Sequence, residues 1–292
     1  MMLKSSAAIA LPGVFNGLTA LAAKRAGFGA CYIGGSTVCA TAGQPDIGVA
    51  GLEVFCRMIQ EVHTATGLPV LADADTGFGE EENITKTTLE YYRAGAAGMH
   101  VEDQVFPKRC GHLGGKKLIE KCQMVSKLER AVSARKRIQA RGGDFIVCAR
   151  TDARSVTGLD DAIERAAAYA DAGADMLFPE GLNTAEEFKI FAEAMARRAR
   201  KEDLFLLANM TEFGTTDIIS VAEFEALGYD AVIFPASSMR AAMGAVTRLF
   251  KDLRESGHVK ASLPQMQTRA ELYETLAYTP GEEWVMPAHF NK

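Results

Sequence analysis

The sequence lacks the features that mark several common classes of protein. It contains no Cys-x-x-Cys pair and no matching histidine spacing, which excludes the usual zinc-binding modules. Its net charge is −5, and its one dense positive stretch, residues 197–201, is typical of a solvated helix end. Binding to nucleic acid requires clustered lysine and arginine. The sequence therefore predicts neither a zinc module nor a nucleic-acid-binding protein.

The cysteines and the amino-terminal residues suggest a cellular compartment. Apart from Cys110, the cysteines stand mostly in apolar or helical contexts, as buried free thiols do, at Cys31, Cys39, Cys56, Cys122 and Cys148. The first residues carry a single cation, Lys4, and no long apolar segment with a cleavage site. We expect a cytoplasmic protein without a membrane span.

An alanine-rich phrase that ends in glycine recurs four times along the chain. Gly27, Gly95, Gly173 and Gly228 each end a helical pattern and closely precede an apolar run. Glycine suits the left-handed cap of a helix, and the runs are short enough for buried parallel strands. Each phrase therefore predicts a joint between a helix and the next strand.

Eight apolar runs separated by helical patterns indicate the fold. They span residues 8–14, 30–33, 69–73, 97–101, 145–149, 175–178, 205–208 and 231–234. Eight such strands predict an α/β protein with one (β/α)8 TIM barrel over residues 1–292, in which residues 250–292 form a helical extension. An open doubly wound sheet is the alternative. It needs a glycine-rich phosphate turn after its first strand, which residues 12–16 do not supply.

Acidic residues follow the third and fourth predicted strands. In a barrel, the residues after each strand converge on one face, so Asp73 and Asp75 would lie near Glu102. Asp46 stands in a turn that could reach them. Carboxylate oxygens without thiolates favour Mg²⁺, with Mn²⁺ as the alternative, over zinc. Each aspartate taken alone could instead cap a helix or stabilise a turn.

The loop of residues 107–117 follows the fourth strand and is rich in glycine and lysine. Its centre places Cys110 beside Lys108, Arg109 and His112. Cations and an imidazole next to a thiol favour the thiolate, so we expect a depressed pKa for Cys110 and a role as proton donor or nucleophile. The composition also predicts a mobile surface loop.

Polar residues after the later strands suit a carboxylic acid substrate. Arg150 can grip a carboxylate and Glu180 can orient it, although an internal salt bridge is the alternative. Asn209 and Thr211 can donate to a second carboxylate, or can merely fix their loop. With a hard cation and Cys110, these groups suit cleavage of a carbon–carbon bond in a hydroxy-polycarboxylate. The sequence does not identify the base that takes the proton of the substrate hydroxyl.

Three motifs resemble the isocitrate lyase and phosphoenolpyruvate mutase superfamily, namely residues 73–79, 102–104 and 108–112. The resemblance spans residues 8–280 and implies a magnesium-dependent barrel whose last helix is exchanged between paired subunits of a homotetramer. It implies that Cys110 is the general acid, with Lys108, His112 and Glu102 as further catalytic residues and Asp73, Asp75, Asp46 and Glu102 around the metal. It implies substrate contacts at Gly34, Gly35, Ser36, Gly111, Arg150, Glu180, Asn209, Thr211 and Arg240.

Within that superfamily, the sequence is most similar to the 2-methylisocitrate lyases, which implies cleavage of 2-methylisocitrate to pyruvate and succinate. Two segments depart from the pattern. Residues 33–37 lack the usual Ser-Gly-Gly, so the serine contact is missing or moved to Ser36. Residues 113–116 are closer to relatives that act on 2,3-dimethylmalate or oxaloacetate. A lyase or decarboxylase for a smaller acid is therefore an alternative, and a non-catalytic barrel scaffold is a third.

Overall fold

A computed structural model describes residues 7–111, 114–198 and 204–285 of the chain. Its eight strands are β1 (Ile9–Pro12), β2 (Cys31–Ile33), β3 (Val70–Asp73), β4 (Gly98–Glu102), β5 (Ile146–Thr151), β6 (Met176–Pro179), β7 (Phe205–Asn209) and β8 (Ala231–Phe234). Each of the eight predicted apolar runs overlaps one of these strands. The prediction of eight strands is therefore confirmed.

The strands close into a parallel barrel. From β2 to β8, each strand pairs in parallel with the next along the chain, and β8 pairs with β1, where Ile9 lies opposite Ala231. The last gap is bridged where Val14 N donates to Tyr32 O at 2.9 Å. The closed ring confirms the (β/α)8 barrel and rules out the open sheet.

Helices connect the strands and surround the barrel. They are α1 (Gly17–Arg25), α2 (Gly35–Thr41), α3 (Leu52–Thr66), α4 (Glu81–Ala94), α5 (Lys121–Gln139), α6 (Leu159–Asp171), α7 (Ala185–Arg198), α8 (Val221–Ala226), α9 (Ser237–Ser256) and α10 (Arg269–Thr275). Short 3-10 turns lie at Ala153–Ser155 and Leu263–Gln265. None of the helices in the described ranges is long and apolar enough to cross a membrane.

The four glycine joints have the predicted backbone conformation. Gly27, Gly95, Gly173 and Gly228 have φ values of 92°, 101°, 99° and 92°, in the left-handed region that favours glycine. At Gly95 the packing is also close, because a Cβ there would stand 2.4 Å from Cδ2 of His63. The repeat therefore marks helix-to-strand joints.

Two apolar layers hold the barrel together. The larger lies between the strands and the helices and includes Val70, Ala72, Phe55 and Tyr91. The smaller fills the barrel itself, where Leu71 packs with the other inward side chains Leu11, Tyr32, Cys148, Met176, Phe178, Leu207 and Ile233. Side chains alternate along each strand, so one strand supplies both layers. The inner layer forms the floor beneath the polar residues at the strand ends.

The C-terminal helices pack loosely on the rest of this chain. The 20-residue helix α9 buries none of its side chains, and Phe250 on it is 63% exposed. The predicted extension boundary at residue 250 falls inside this helix rather than at its start. Residues 286–292 of that extension lie outside the described part. The exchange of the last helix between subunits stays a prediction.

The cysteines are all free thiols, as the spacing predicted. Cys31, Cys39 and Cys148 are buried, and Cys56 and Cys110 are half-buried. Cys122 is exposed at the start of α5, where Lys121 and Gln123 are exposed as well, so the expectation of a buried thiol is wrong there.

Candidate active site

A cavity of about 130 Å³ lies at the carboxyl ends of the barrel strands. Most of the predicted site residues line it, namely Gly34, Gly35, Ser36, Asp46, Asp73, Lys108, Cys110, Gly111, Arg150, Glu180, Asn209, Thr211 and Arg240. Asp75 and Glu102 are buried beside it and do not reach its wall. His112 lies outside the described residues. The strand ends thus bring these distant side chains into one small site.

The turn after β3 fixes the orientation of Asp73. Its Oδ2 accepts a hydrogen bond from Gly35 N, and its Oδ1 accepts one from Asp75 N, both at 2.9 Å. Asp75 itself has a φ of 46°, a left-handed conformation that aspartate tolerates better than most residues. The Asp73 carboxylate therefore holds the turn that presents Asp75.

Lys108 reaches from the loop after β4 into this acidic cluster. Its Nζ lies 2.5 Å from Asp46 Oδ1 and 2.7 Å from Asp75 Oδ1. Burial disfavours the charge on Lys108, but Asp73 and Asp75 outweigh it and raise the lysine pKa above its usual range. Burial and the neighbouring Asp73 raise the pKa of Asp75 to about 7. The Lys108 ammonium therefore balances part of the negative charge of these aspartates.

The acidic cluster suits a divalent cation by its donor types. A Cβ on Gly35 would stand 2.9, 3.1 and 3.2 Å from oxygens of Asp73, Asp46 and Asp75, so three carboxylates face one point. Two buried oxygens there, Asp75 Oδ2 and Glu102 Oε1, have no hydrogen-bond partner. Mg²⁺ takes oxygen ligands at about 2.1 Å. The donor set is therefore of the kind that Mg²⁺ prefers. In the described ranges, no three potential ligands are already arranged around a metal position.

Arg150 stands among three carboxylates at the end of β5. Its Nε and Nη2 bind the two oxygens of Asp152 at 3.0 and 3.2 Å. Nε also lies 3.2 Å from Glu102, and Nη1 lies 3.6 Å from Glu180. Asn209 Nδ2 donates to Glu180 at 3.1 Å, which links β7 to the same network. The predicted proximity of Arg150 and Glu180 is seen, but Asp152 makes the shorter contacts.

Sequence reasoning assigned no role to Asp152 or to the pair formed by Tyr32 and His100. Tyr32 lines the cavity, and its hydroxyl lies 2.7 Å from Nε2 of the buried His100. Burial lowers the pKa of His100 to about 4, so its ring is neutral at pH 7. Asp152 could have been found from its position two residues after Arg150, on the same side of an extended chain. Tyr32 was not identified because it stands within an apolar strand, β2.

The described residues of the loop after β4 contact the barrel beside the cavity. Gln104 exchanges two hydrogen bonds with the backbone of Arg109, at 2.8 and 2.9 Å. Lys116 is buried and lies 2.7 Å from Asp152. Hydrogen bonds and a buried ion pair thus attach the described part of this loop, and its mobility stays a prediction.

The cations beside Cys110 bind other groups. Lys108 contacts Asp46 and Asp75, and the exposed Arg109 donates to the backbone oxygen of Gly114 at 3.1 Å. The two side chains therefore do not act on the thiol through direct contact. Cys110 is half-buried and faces the cavity.

The loop after β7 forms the mouth of the cavity. Arg240 lies 3.3 Å from Glu212 and over the ring of Phe213, 5.4 Å from its centroid. Phe213 is 95% exposed and has a φ of 61°. Sequence analysis named Arg240 but assigned no role to Glu212 or Phe213. Arg240 is thus already paired with a carboxylate of its own chain at the cavity entrance.

Comparisons with known proteins are consistent with this arrangement of side chains. Residues 1–254 match the family described as phosphoenolpyruvate phosphomutase. The chain belongs to this family. Proteins named 2-methylisocitrate lyase are similar over most of their length. Those of Aeropyrum pernix and Bacillus subtilis are each 43% identical to this chain, covering 92% of it and 83% and 84% of their own lengths. The Escherichia coli protein is 40% identical over 93% of this chain and 88% of its own.

Solved structures of 26% to 35% sequence identity share the fold. Oxaloacetate acetylhydrolase in complex with 3,3-difluorooxalacetate has a TM-score of 0.87 and 33% identity, covering 94% of this chain and 91% of its own. The 2,3-dimethylmalate lyase structure is described as a member of the PEP mutase/isocitrate lyase superfamily. It has a TM-score of 0.86 and 35% identity, covering 94% of this chain and 88% of its own. Phosphonopyruvate hydrolase complexed with oxalate and Mg²⁺ has a TM-score of 0.80 and 26% identity, covering 94% and 92%.

We predict that His100 makes the fold less stable in acid. The ordinary histidine pKa is about 6.5, and burial holds that of His100 at about 4, so between these values the unfolded state takes up the proton first. Lowering the pH from 7 to 5 should therefore remove about 2 kcal/mol of unfolding free energy through this group. Urea denaturation at both pH values measures this loss.

A pair of histidine variants isolates that contribution. His100→Gln should have a shallower pH dependence than the wild type. His258→Gln changes an exposed histidine and should keep the wild-type dependence. An equally steep dependence in His100→Gln would show that the buried ring is not responsible.

Proposed function

We propose that this protein is a carbon–carbon lyase that cleaves 2-methylisocitrate to pyruvate and succinate. The observation that carries the proposal is the convergence of Cys110, Arg150 and Asp73 on one cavity. At least 40% identity with proteins named 2-methylisocitrate lyase supports the choice of substrate. A thiol, a guanidinium and an acidic cluster match the demands of cleaving a hydroxy-polycarboxylate.

The cavity residues have distinct roles in this proposal. Arg150 binds one substrate carboxylate, and the Asn209 amide and the Thr211 hydroxyl orient a second. Cys110, on the loop that covers the cavity, donates a proton to the carbon that becomes a methylene group of succinate. Gly111 brings this loop against the barrel, since a Cβ there would stand 2.6 Å from Arg150 Nη2. The lining groups hold the substrate between the thiol and the acidic cluster.

Mg²⁺ is the proposed cofactor, with Mn²⁺ as the alternative. Asp46, Asp73 and Asp75 would hold it, and Glu102 would support them. The ion would supply positive charge that stabilises the hydroxyl and carboxylate oxygens of the substrate as charge develops on them. Lys108, which is paired with Asp46 and Asp75, is a further proposed catalytic residue at this cluster.

Kinetics on three acids test the proposed substrate. We expect the purified protein with Mg²⁺ to convert 2-methylisocitrate to pyruvate and succinate more efficiently than it cleaves 2,3-dimethylmalate or oxaloacetate. A smaller acid is the second candidate, because the cavity is only about 130 Å³ and similar structures belong to enzymes named for such acids. Turnover of a smaller acid beside no turnover of 2-methylisocitrate would establish that alternative.

Replacing Cys110 should abolish turnover without unfolding the protein. Cys110→Ala removes the proposed general acid, a loss of about 10²–10⁴-fold in kcat. Its side chain is only half-buried, so circular dichroism and the melting temperature should stay near wild-type values. Cys122→Ala, which changes an exposed thiol on α5, should retain activity. A near-native rate in Cys110→Ala would exclude the assigned role.

Metal binding should depend on the space above Gly35. Chelation with EDTA should stop turnover, and added Mg²⁺ should restore it. In Gly35→Ala, the new methyl group would stand 2.9 Å from Asp73 Oδ2, so calorimetric titration should give a Kd for Mg²⁺ at least about tenfold higher. Gly114→Ala is the control, since a Cβ there meets no described atom within 4 Å. Unchanged Mg²⁺ affinity in Gly35→Ala would place the metal elsewhere.

We also propose that α9 and the residues after it pack against another copy of the chain in a homotetramer. The helix buries none of its side chains in this chain, while Met243, Phe250 and Leu253 on it are exposed. Light scattering should give four times the chain mass of 31.4 kDa. Phe250→Asp should reduce that mass, whereas Lys251→Ala on the same helix should not. A monomeric wild type would contradict the proposal.

A further inference from the structure

Asp103 is a buried carboxylate just after β4 that has no role in the proposed reaction. It follows Glu102, and because side chains alternate along a strand, the two acids point to opposite sides of the barrel wall. Glu102 lies on the cavity side, 3.2 Å from Arg150 Nε. Asp103 lies on the helix side, 2.8 Å from the hydroxyl of Tyr169 on α6. A buried carboxylate needs hydrogen-bond partners within the protein.

Four hydrogen-bond donors surround the Asp103 carboxylate. Its Oδ1 accepts from Asp152 N at 2.9 Å. Its Oδ2 accepts from the hydroxyls of Thr151 and Tyr169, both at 2.8 Å. Nη1 of Arg165 on α6 lies 3.4 Å from the same oxygen and adds positive charge. A carboxylate accepts at both oxygens, so it suits four donors better than an amide, whose nitrogen can only donate.

These bonds fix the chain just beyond the paired part of β5. The pairing of β4 with β5 ends where Glu102 lies opposite Arg150. Beyond that point, the Asp103 side chain supplies the acceptor for Asp152 N–H that a backbone oxygen supplies within a sheet. Asp103 therefore attaches the segment after Arg150 to the end of the neighbouring strand.

Asp152, whose backbone is held in this way, makes paired contacts with the arginine assigned to the substrate. Its Oδ2 accepts from Arg150 Nε at 3.0 Å, and its Oδ1 accepts from Nη2 at 3.2 Å. Two such bonds fix the plane of a guanidinium as well as its position. Lys116 also donates to Asp152 Oδ1, at 2.7 Å. The contact with Asp103 differs from this one, because it fixes the backbone that carries the Asp152 side chain.

We propose that Asp103 is a positioning residue that, through Asp152, sets the orientation of the Arg150 guanidinium toward the substrate carboxylate. The proposal rests on the function proposed above, since it takes Arg150 to bind the substrate. Asp103 does not line the cavity, so it acts through geometry and not by contact with the substrate. Because Tyr169 holds Asp103 from α6, a helix outside the barrel contributes to substrate binding.

Asp103→Asn tests the proposal with little change in side-chain volume. The asparagine nitrogen cannot accept from Thr151 and Tyr169, so the segment after β5 should shift and misplace Arg150. We expect KM for 2-methylisocitrate to rise about tenfold or more. The Kd for succinate, measured by calorimetry, should rise with it. The value of kcat should fall by a smaller factor, because Cys110 is unaffected. Wild-type KM and Kd in this variant would overturn the proposal.

Asp230→Asn is the matched control. Asp230 Oδ2 accepts from Leu206 N at 2.7 Å near the amino ends of the strands, at the face opposite the cavity. Its replacement also removes a carboxylate that binds a backbone N–H, so the melting temperature should fall while KM stays near the wild-type value. An equal rise of KM in both variants would show that lost stability, not positioning, is responsible.

Tyr169→Phe is a milder variant that serves if Asp103→Asn does not fold. It removes one donor to Asp103 and should raise KM about threefold. Tyr229→Phe is its control, because that buried hydroxyl donates to Phe188 O at 3.3 Å and should leave KM unchanged. If Asp103→Asn does not fold, an unchanged KM in Tyr169→Phe overturns the proposal.

A double-mutant cycle tests the route through Asp152. If Asp103 acts through that residue, Asp103→Asn combined with Asp152→Ala should bind succinate no worse than the poorer single variant. Multiplied effects in the double variant would contradict the route.

The outcomes also separate this proposal from the proposed function. A wild-type protein that cleaves none of the three acids refutes the proposed function. In that case, a crystal structure of Asp103→Asn tests the positioning by itself. Loss of the paired contacts between Asp152 and Arg150 supports it, and an unchanged pair overturns it. Turnover by the wild type combined with unchanged kinetics in Asp103→Asn refutes the positioning role alone.

Discussion

The site depends on one buried guanidinium. Arg150 stands at the end of β5 within reach of Glu102, Asp152 and Glu180, which come from three neighbouring strand ends. Burial alone would raise the pKa of the Asp152 carboxyl, but the Arg150 and Lys116 cations lower it. Burial raises the pKa of Glu102 even with Arg150 beside it. The Arg150 guanidinium therefore allows three acidic side chains to lie close together at the bottom of the site.

The acidic cluster after β3 is organised in the same way around Lys108. Here the cation comes from a loop instead of a strand. Arg150 is fixed within the barrel, whereas Lys108 and Lys116 both belong to residues 104–117. This loop therefore supplies two positive charges and the thiol of Cys110 to the edge of a strongly acidic site.

Much of the fold could be predicted from the order of residues. The apolar runs and the glycines at 27, 95, 173 and 228 report on local backbone preference, which short stretches of chain determine by themselves. Many candidate site residues were found for a similar reason, since in a barrel the residues after each strand must share one face. The predicted boundary of the C-terminal extension, residue 250, lies inside α9 (Ser237–Ser256).

What the sequence determined by itself was the barrel and the set of side chains that its strand ends bring together. What only the tertiary structure decided was how these side chains pair. Asp152 rather than Glu180 makes the short contacts with Arg150, Lys108 contacts the aspartates, and Lys116 of the glycine-rich loop pairs with Asp152. Backbone preferences act over a few residues, whereas ion pairs among buried groups depend on distances between elements far apart in the chain. No local pattern encodes those distances.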